Sequence, residues 1–152
     1  MSSLLWQWLR FGELGLDDLY DLLTLRAQVF VVEQRCPYLD PDGLDRVAWH
    51  LLGRDAAGVL QAGLRVVDPG MKYAEPSIGR VVTAPALRGR GIGRALMGQG
   101  LARCDAVWRG QGIRISAQSH LVRFYGTLGF EAVGEPYLED DIPHVEMFRR
   151  LR

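Results

Sequence analysis

The chain has 152 residues, 48% hydrophobic and 24% charged, with 18 basic and 18 acidic side chains. That length suits one domain, read as residues 1–152, with a core that needs no metal or disulfide staple. The cancelled charge argues against broad binding to nucleic acid or to a membrane. Cys36 and Cys104 stand at no metal-ligand spacing, so no metal is expected, and two free thiols suit a reducing cytoplasm. Met1–Trp6 has neither a basic nor a sustained apolar run, so no secretory signal is expected, and no stretch is apolar enough to span a bilayer.

Leu4–Phe11 alternates loosely around Trp6 and Trp8 and reads as a strand. Asp17 and Asp18 then open a helix, where acidic side chains suit the positive end of the dipole. Leu16, Leu19, Tyr20, Leu23, Ala27 and Phe30 recur at helical spacing and predict its buried face. Prolines and a glycine make Arg35–Asp45 a loop. Val47–Gly53 and Val59–Val67 read as strands joined at Asp55-Ala56-Ala57-Gly58, and Asp68-Pro69-Gly70 ends the second. Ser77–Thr83 is the next strand, stopped by Pro85. A long helix then runs to Trp108, with Met97, Leu101, Cys104 and Trp108 as its core stripe and Gly110 and Gly112 as its stop. Ile113–Ala117 is a short buried strand. A helix from Ser119 or His120 to Leu128 closes at Gly129. Phe130–Gly134 and His144–Leu151 are final strands around an acidic loop, Glu135–Pro143.

The order β-α-β-β-β-α-β-α-β-β predicts an α+β fold, a mixed central sheet of about six to seven strands flanked by helices. Ser77–Ala117 should form a right-handed crossover between parallel strands.

Arg88-Gly89-Arg90-Gly91-Ile92-Gly93-Arg94 sits between the fourth strand and the long helix. Its glycines let backbone N–H groups approach an anion, the helix adds its positive end, and three arginines add charge. The run reads as a pyrophosphate cradle. A dinucleotide fold would place the glycines in the first βα unit and an acid after the next strand. A triphosphatase loop would need Gly-Lys-Ser/Thr. Neither pattern is present, and a glycine-rich turn without a ligand is the plain alternative.

The same run closely resembles the coenzyme A loop of the GNAT N-acetyltransferases, an Arg/Gln-x-x-Gly-x-Gly/Ala segment that follows the fourth strand. Phe124-Tyr125-Gly126-Thr127-Leu128-Gly129-Phe130 resembles the Phe-Tyr-x-x-x-Gly-Phe segment that closes the GNAT core. Many relatives carry asparagine seven residues before the tyrosine, where this chain has Gln118. Leu25-Arg26, Val29–Gln34, Cys36-Pro37-Tyr38, Asp42-Gly43, Ala117–Leu121 and Asp141–His144 are similar to the ElaA-type subfamily. The resemblance covers nearly the whole chain.

It implies a GNAT fold, acetyl-CoA as cosubstrate, no metal, and direct attack by a primary amine in a ternary complex. The acceptor is open among a small molecule, a peptide N-terminus and a lysine side chain, and a homodimer stays open as well. Backbone N–H groups of Val81, Val82 and Thr83 would meet the pantetheine and the thioester oxygen. Arg88, Gly89, Arg90, Gly91, Ile92, Gly93 and Arg94 would hold the pyrophosphate, with His120 and Phe124 beside the cofactor. Tyr125 would protonate the departing thiolate, a task suited to a neutral phenol. Glu33 is the first choice for the base, against a structural contact with Arg26 or a loop N–H. His50 is a rival base but reads as structural in mid-strand, and His144 reads as a solvated strand start, against a place lining the substrate end. Asp40, Asp42, Asp45, Glu139, Asp140 and Asp141 read either as a border that attracts a cationic amine or as two solvated loops. The tryptophans read as packing. The alternative from another class is a catalytically weak coenzyme A-binding module or regulator.

Overall fold

The structure, a computed structural model, describes residues 3–150. The meander forms as expected: β1 (Leu5–Arg10), β2 (Ala48–Arg54), β3 (Leu60–Val67) and β4 (Ser77–Thr83) pair antiparallel in chain order. A second sheet gathers around β8 (Ile142–Arg149), which pairs with β5 (Ile113–Gln118), β6 (Phe130–Ala132) and β7 (Tyr137–Glu139). Leu151, expected in the last strand, lies outside the described residues.

Three expectations change. The single mixed sheet is divided into two four-stranded halves, and every strand ladder among the described residues is antiparallel. The parallel pairing of Ser77–Thr83 with Ile113–Ala117 reduces to one bond near the strand starts, where Arg114 N–H donates to the Pro76 carbonyl at 3.1 Å. The strand count rises to eight because the acidic loop contains β7.

A bulge explains the divergence of β4 from β5. Gly63 faces Val82 and Arg65 faces Gly79, so Arg80 and Val81 together oppose Leu64. Arg80 adopts a left-handed φ of 49°. Such a bulge bends its strand and leaves backbone groups unladdered. The strain of a left-handed arginine needs support from its surroundings. Asp40 supplies it: Arg80 Nη2 donates to its carbonyl at 2.8 Å, and Arg80 Nε lies 2.8 Å from its Oδ1.

Three helices cover the sheets: α1 (Leu16–Arg26), α2 (Ile92–Val107) and α3 (Val122–Gly126). On α2 the stripe of Met97 and Cys104 is buried, with Ile92 and Leu96 beside it. Gly100 lets the helix settle on the sheet, since a Cβ there would stand 3.1 Å from Ile78 and 3.2 Å from Leu64. On α1 the buried face is Leu22, Leu25 and Arg26, while Leu16 and Tyr20 are 90% and 73% exposed. The expected face is therefore rotated. The cause is Arg26, whose guanidinium must reach buried carboxylates under the helix and turns its neighbours inward with it. The helix then widens into a π-helical segment, Ala27–Glu33, an irregularity that periodicity does not show.

All four tryptophans pack against the core, as expected. Arg103 of α2 lies over Trp8 and Trp49, at 4.9 and 4.2 Å from the ring centroids. No helix among the described residues is long and apolar enough to cross a membrane.

Candidate active site

Where β4 and β5 diverge, a cleft of about 590 Å³ opens, a size common for small-molecule sites. Val81, Val82 and Thr83 form one wall, and Ile115, Ser116 and Gln118 of β5 the other. The π-helical segment, the glycine loop, α3 and the β7–β8 turn close its ends.

At one end lie Arg88, Gly89, Gly91, Ile92 and Gly93. Gly89 and Gly91 hold φ of 79° and 76°, which only glycine adopts without strain. A Cβ on either would meet no atom within 4 Å, so the loop presents open backbone. Helix α2, 16 residues long, starts at Ile92 and aims its unsatisfied N–H groups at the same place. These features suit a pyrophosphate. Arg90 and Arg94 are exposed and stand outside the cleft wall. Arg94 donates to Thr127 Oγ1 at 3.0 Å and lies 5.6 Å over the Phe124 ring, which ties the loop to α3.

Glu33 meets this end rather than Arg26. Arg88 grips its carboxylate with two bonds of 2.8 and 2.5 Å, and that pairing holds the Glu33 carboxyl below its ordinary pKa. Both side chains are about half exposed, 41% for Glu33 and 46% for Arg88.

Tyr125 lies at the middle of the cleft, buried edge-on between Phe124 and Phe130 at ring distances of 5.3 and 5.9 Å. Burial pushes its pKa up to about 12, so the phenol keeps its proton at any physiological pH. Its hydroxyl has no protein hydrogen-bond partner among the described residues. His120 is exposed on the turn before α3 and also lines the cleft. Gln118 exchanges amide hydrogen bonds with Gln34, at 3.5 and 3.4 Å, across the two sides of the cleft.

The opposite end is assembled from distant segments. Arg26, 1% exposed, donates to Asp40 at 2.7 Å and to Asp45 at 2.8 and 3.2 Å. Arg65, 2% exposed, holds Asp42 at 2.8 and 2.7 Å and Asp45 at 3.0 Å. Arg80 joins Asp40 and Asp42. Three arginines and three aspartates thus close on one another. Burial raises the Asp42 and Asp45 carboxyls, but the arginines outweigh it and hold both below the usual carboxylate range. Neither sequence reading of Asp40, Asp42 and Asp45 survives. Asp40 and Asp45 are buried, and Asp42, at the exposed rim, is held by two arginines; all three are counter-ions that pin the 35–47 loop to β3 and β4.

His50 sits beneath the network, its Nε2 2.9 Å from the Asp45 carbonyl, and burial lowers its pKa. It lies away from the cleft lining, as a structural histidine does. His144 departs from its expected solvated state. It is 7% exposed, lines the cleft, and sits with Nδ1 2.7 Å from the Ile142 carbonyl and Nε2 3.4 Å from Glu139.

Gln34 and Cys36, within segments the sequence reading had matched, and Lys72 and Arg80, which it had not placed in a site, all line the cleft wall. Cys36 is buried and donates its S–H to the Asp140 carbonyl at 3.2 Å. Lys72, the only lysine in the chain, carried a signal in its rarity. Arg80 carried none, because its position depends on a bulge.

With this geometry in place, likeness to known proteins becomes informative. A family model described as an acetyltransferase (GNAT) domain matches residues 62–151. The ElaA protein of Escherichia coli is 42% identical over 148 residues, 96% of each chain. The chain belongs to the GNAT acetyltransferase family, in its ElaA branch. A UPF0039 protein of Synechocystis is 42% identical over 146 residues, 96% of this chain and 95% of its own. Among solved structures, an acyl-CoA N-acyltransferase of Pseudomonas aeruginosa shares 47% identity with a TM-score of 0.92, covering 97% of this chain and 99% of that one. Crystalline E. coli ElaA shares 41% with a TM-score of 0.90 over the same shares.

The fold is therefore the GNAT acyl-CoA N-acyltransferase fold. GNAT membership supports acyl-CoA-dependent acyl transfer to an amine. Among the described residues, no cluster of three or more His, Cys, Asp or Glu side chains could hold a metal ion.

Proposed function

We propose that the protein transfers an acetyl group from acetyl-CoA to a primary amine, by direct attack within a ternary complex. The observation that carries this reading is the cleft itself. Its lining joins an open glycine loop, a phenol that keeps its proton and a polar group from β3, β4 and the β7–β8 turn, which supports this reading.

Coenzyme A supplies the activated acyl group when bound. The loop Arg88–Gly93, with Arg94, holds its pyrophosphate, and His120 and Phe124 border it. Backbone N–H groups of the stretch Val81, Val82 and Thr83, beside the bulge in β4, hold the pantetheine and steady the thioester oxygen. Donors fixed before the reaction stabilise charge as it develops. The amine nitrogen attacks the acyl carbon and the C–S bond breaks. Tyr125 gives its proton to the leaving sulfur. Glu33 takes the proton lost by the amine, directly or through water. In the free protein Arg88 occupies Glu33, so the base role follows the movement of Arg88 onto the phosphates.

The test is release of coenzyme A thiol from acetyl-CoA in the presence of an amine library. Release that depends on the amine supports the reading. Tight coenzyme A binding with no release for any amine favours a binding module instead.

A further inference from the structure

Strands β7 and β8 form a hairpin whose two-residue turn, Asp140-Asp141, has both residues at left-handed φ, 51° and 62°. The register sets His144 opposite Tyr137 on one side and opposite Gln118 of β5 on the other. Cross-strand partners share a face, so the three side chains form one row, on the face that Gln118 and His144 turn to the cleft. The row is held in place. The Tyr137 ring stacks on the imidazole with centroids 6.1 Å apart, and its hydroxyl is hydrogen-bonded to that of Ser116, two residues before Gln118. His144 is 7% exposed, and both it and Glu139 line the cleft.

This setting distinguishes the two ring nitrogens. Nδ1 is 2.7 Å from the Ile142 carbonyl, which can only accept, so Nδ1 carries the ring proton. In the neutral ring Nε2 is then a bare lone pair. The group that faces it, at 3.4 Å, is the Glu139 carboxylate, which is also an acceptor. Nε2 can therefore take a proton and, once it has done so, lies beside a carboxylate as an ion pair. The steps assigned to Glu33 and Tyr125 leave this pair unused.

We propose that His144 deprotonates the incoming ammonium and that Glu139 holds the resulting imidazolium. The inference rests on the acetyltransferase reading and adds a step to it. A primary amine arrives as an ammonium with three protons on nitrogen and ends as an amide with one, so two must leave. His144 Nε2 takes the first, which frees the nitrogen lone pair. Nitrogen then bonds to the acyl carbon and the C–S bond breaks. Glu33 takes the second proton, and Tyr125 gives its own to sulfur. The proton on Glu33 replaces the one Tyr125 gave, and His144 returns its proton to water beside the half-exposed Glu139. One proton thus ends on the thiol and one in solvent.

The test compares acceptors that differ in that first proton. Ethylamine is an ammonium near neutral pH, whereas 2,2,2-trifluoroethylamine, a weaker base, is a free amine. His144→Gln should lower kcat/KM for ethylamine by about a hundredfold, the usual scale for a general base, and leave the fluorinated amine nearly unchanged. Glu139→Gln should show the same selectivity in smaller measure. Glu139 is exposed, so this variant provides the comparison should His144→Gln fail to fold. An equal loss on both amines would mark a structural role and overturn the inference, as would no loss on either. A wild type that acetylates neither these nor any other amine would overturn the transferase reading itself, and the inference with it. Nitrogen-15 NMR gives a readout apart from activity, since the chain has three histidines and His144→Gln assigns the signal of one. The neutral His144 ring should carry its proton on Nδ1; a proton on Nε2 would overturn the inference.

Discussion

The donor end of the cleft is bounded by a run of consecutive residues, Arg88–Gly93, whose backbone does the work and whose side chains are mostly exposed. The acceptor end is bounded by residues from the π-helical segment, the 35–47 loop, β3, β4 and the β7–β8 turn, and behind it Arg26 and Arg65 lie buried among aspartates that pair with them. The contrast has a physical basis. A pyrophosphate is a fixed target that glycine φ angles and a helix N-terminus can meet locally. An acceptor pocket needs a shape, and here that shape is held by ion pairs reaching across the fold. Damage at the donor end should therefore appear in cofactor affinity. Damage at the acceptor end should appear first in stability.

The largest effect expected is at the acceptor end. Arg26→Met would leave Asp40 and Asp45 buried without one of their partners. Arg65 and Arg80 remain, so the loss should sit near the lower end of the range for broken buried pairs, about 3 kcal/mol. Urea unfolding would measure it. A loss below about 0.5 kcal/mol, the level of ordinary surface changes, would mean that the network does not hold the loop. The same carboxylates set an acid limit. Asp42 and Asp45 titrate lower in the folded state than when unfolded, so their contribution is complete above the ordinary carboxylate pKa of about 3.9. It fades as pH falls from there towards their folded values. Stability of the wild type should drop through that window, and Asp42→Asn should flatten the drop.

Tyr125 lies where the two ends meet. Tyr125→Phe should lower kcat by about a hundredfold, within the usual span for a general acid, with much less change in coenzyme A affinity. The phenylalanine ring keeps the edge-on contacts with Phe124 and Phe130, so folding should persist. Unchanged turnover would remove the acid role and return weight to the binding-module reading.

At the donor end the expected cost is smaller. Gly91→Ala has open space for its methyl group but must hold φ of 76°. A left-handed alanine costs about 1–2 kcal/mol. Coenzyme A affinity should weaken by about tenfold, read by calorimetry, if the loop keeps its shape for the ligand. A variant that binds as tightly as the wild type would show that this φ is not what the cofactor requires.

The same division governed what the sequence could tell. The glycine loop, α2 and the Phe124–Phe130 segment were legible because each is local: a run of glycines, a 3.6-residue stripe, a contiguous match. The meander was legible through its turn residues. The π-helical segment, the rotated face of α1 and the bulge at Arg80 were not, since all answer to contacts far along the chain. Leu16 and Tyr20 fit a helical stripe, yet Arg26 decided which face turned inward. The acidic loop looked solvated because its partners, Arg26, Arg65 and Arg80, lie on three separate elements. Glu33 was selected for its position, but its ion pair with Arg88 spans 55 residues and leaves no periodic trace.

That pair gives the smallest and most discriminating measurement. Glu33 holds Arg88, and in the proposed function it competes there with the cofactor's phosphates. Glu33→Gln removes the competitor and should tighten coenzyme A binding at most a few-fold, because exposed ion pairs are weak and screened by salt. The gain should shrink as ionic strength rises. Arg88→Gln should weaken binding, and in that background Glu33→Gln should no longer help, since no cation remains to be released. Tighter binding in the single variant together with slower turnover would join the two ends of the cleft through one carboxylate, loosened by the donor and used on the acceptor. Unaltered affinity in Glu33→Gln would separate them and leave the pair as a surface contact.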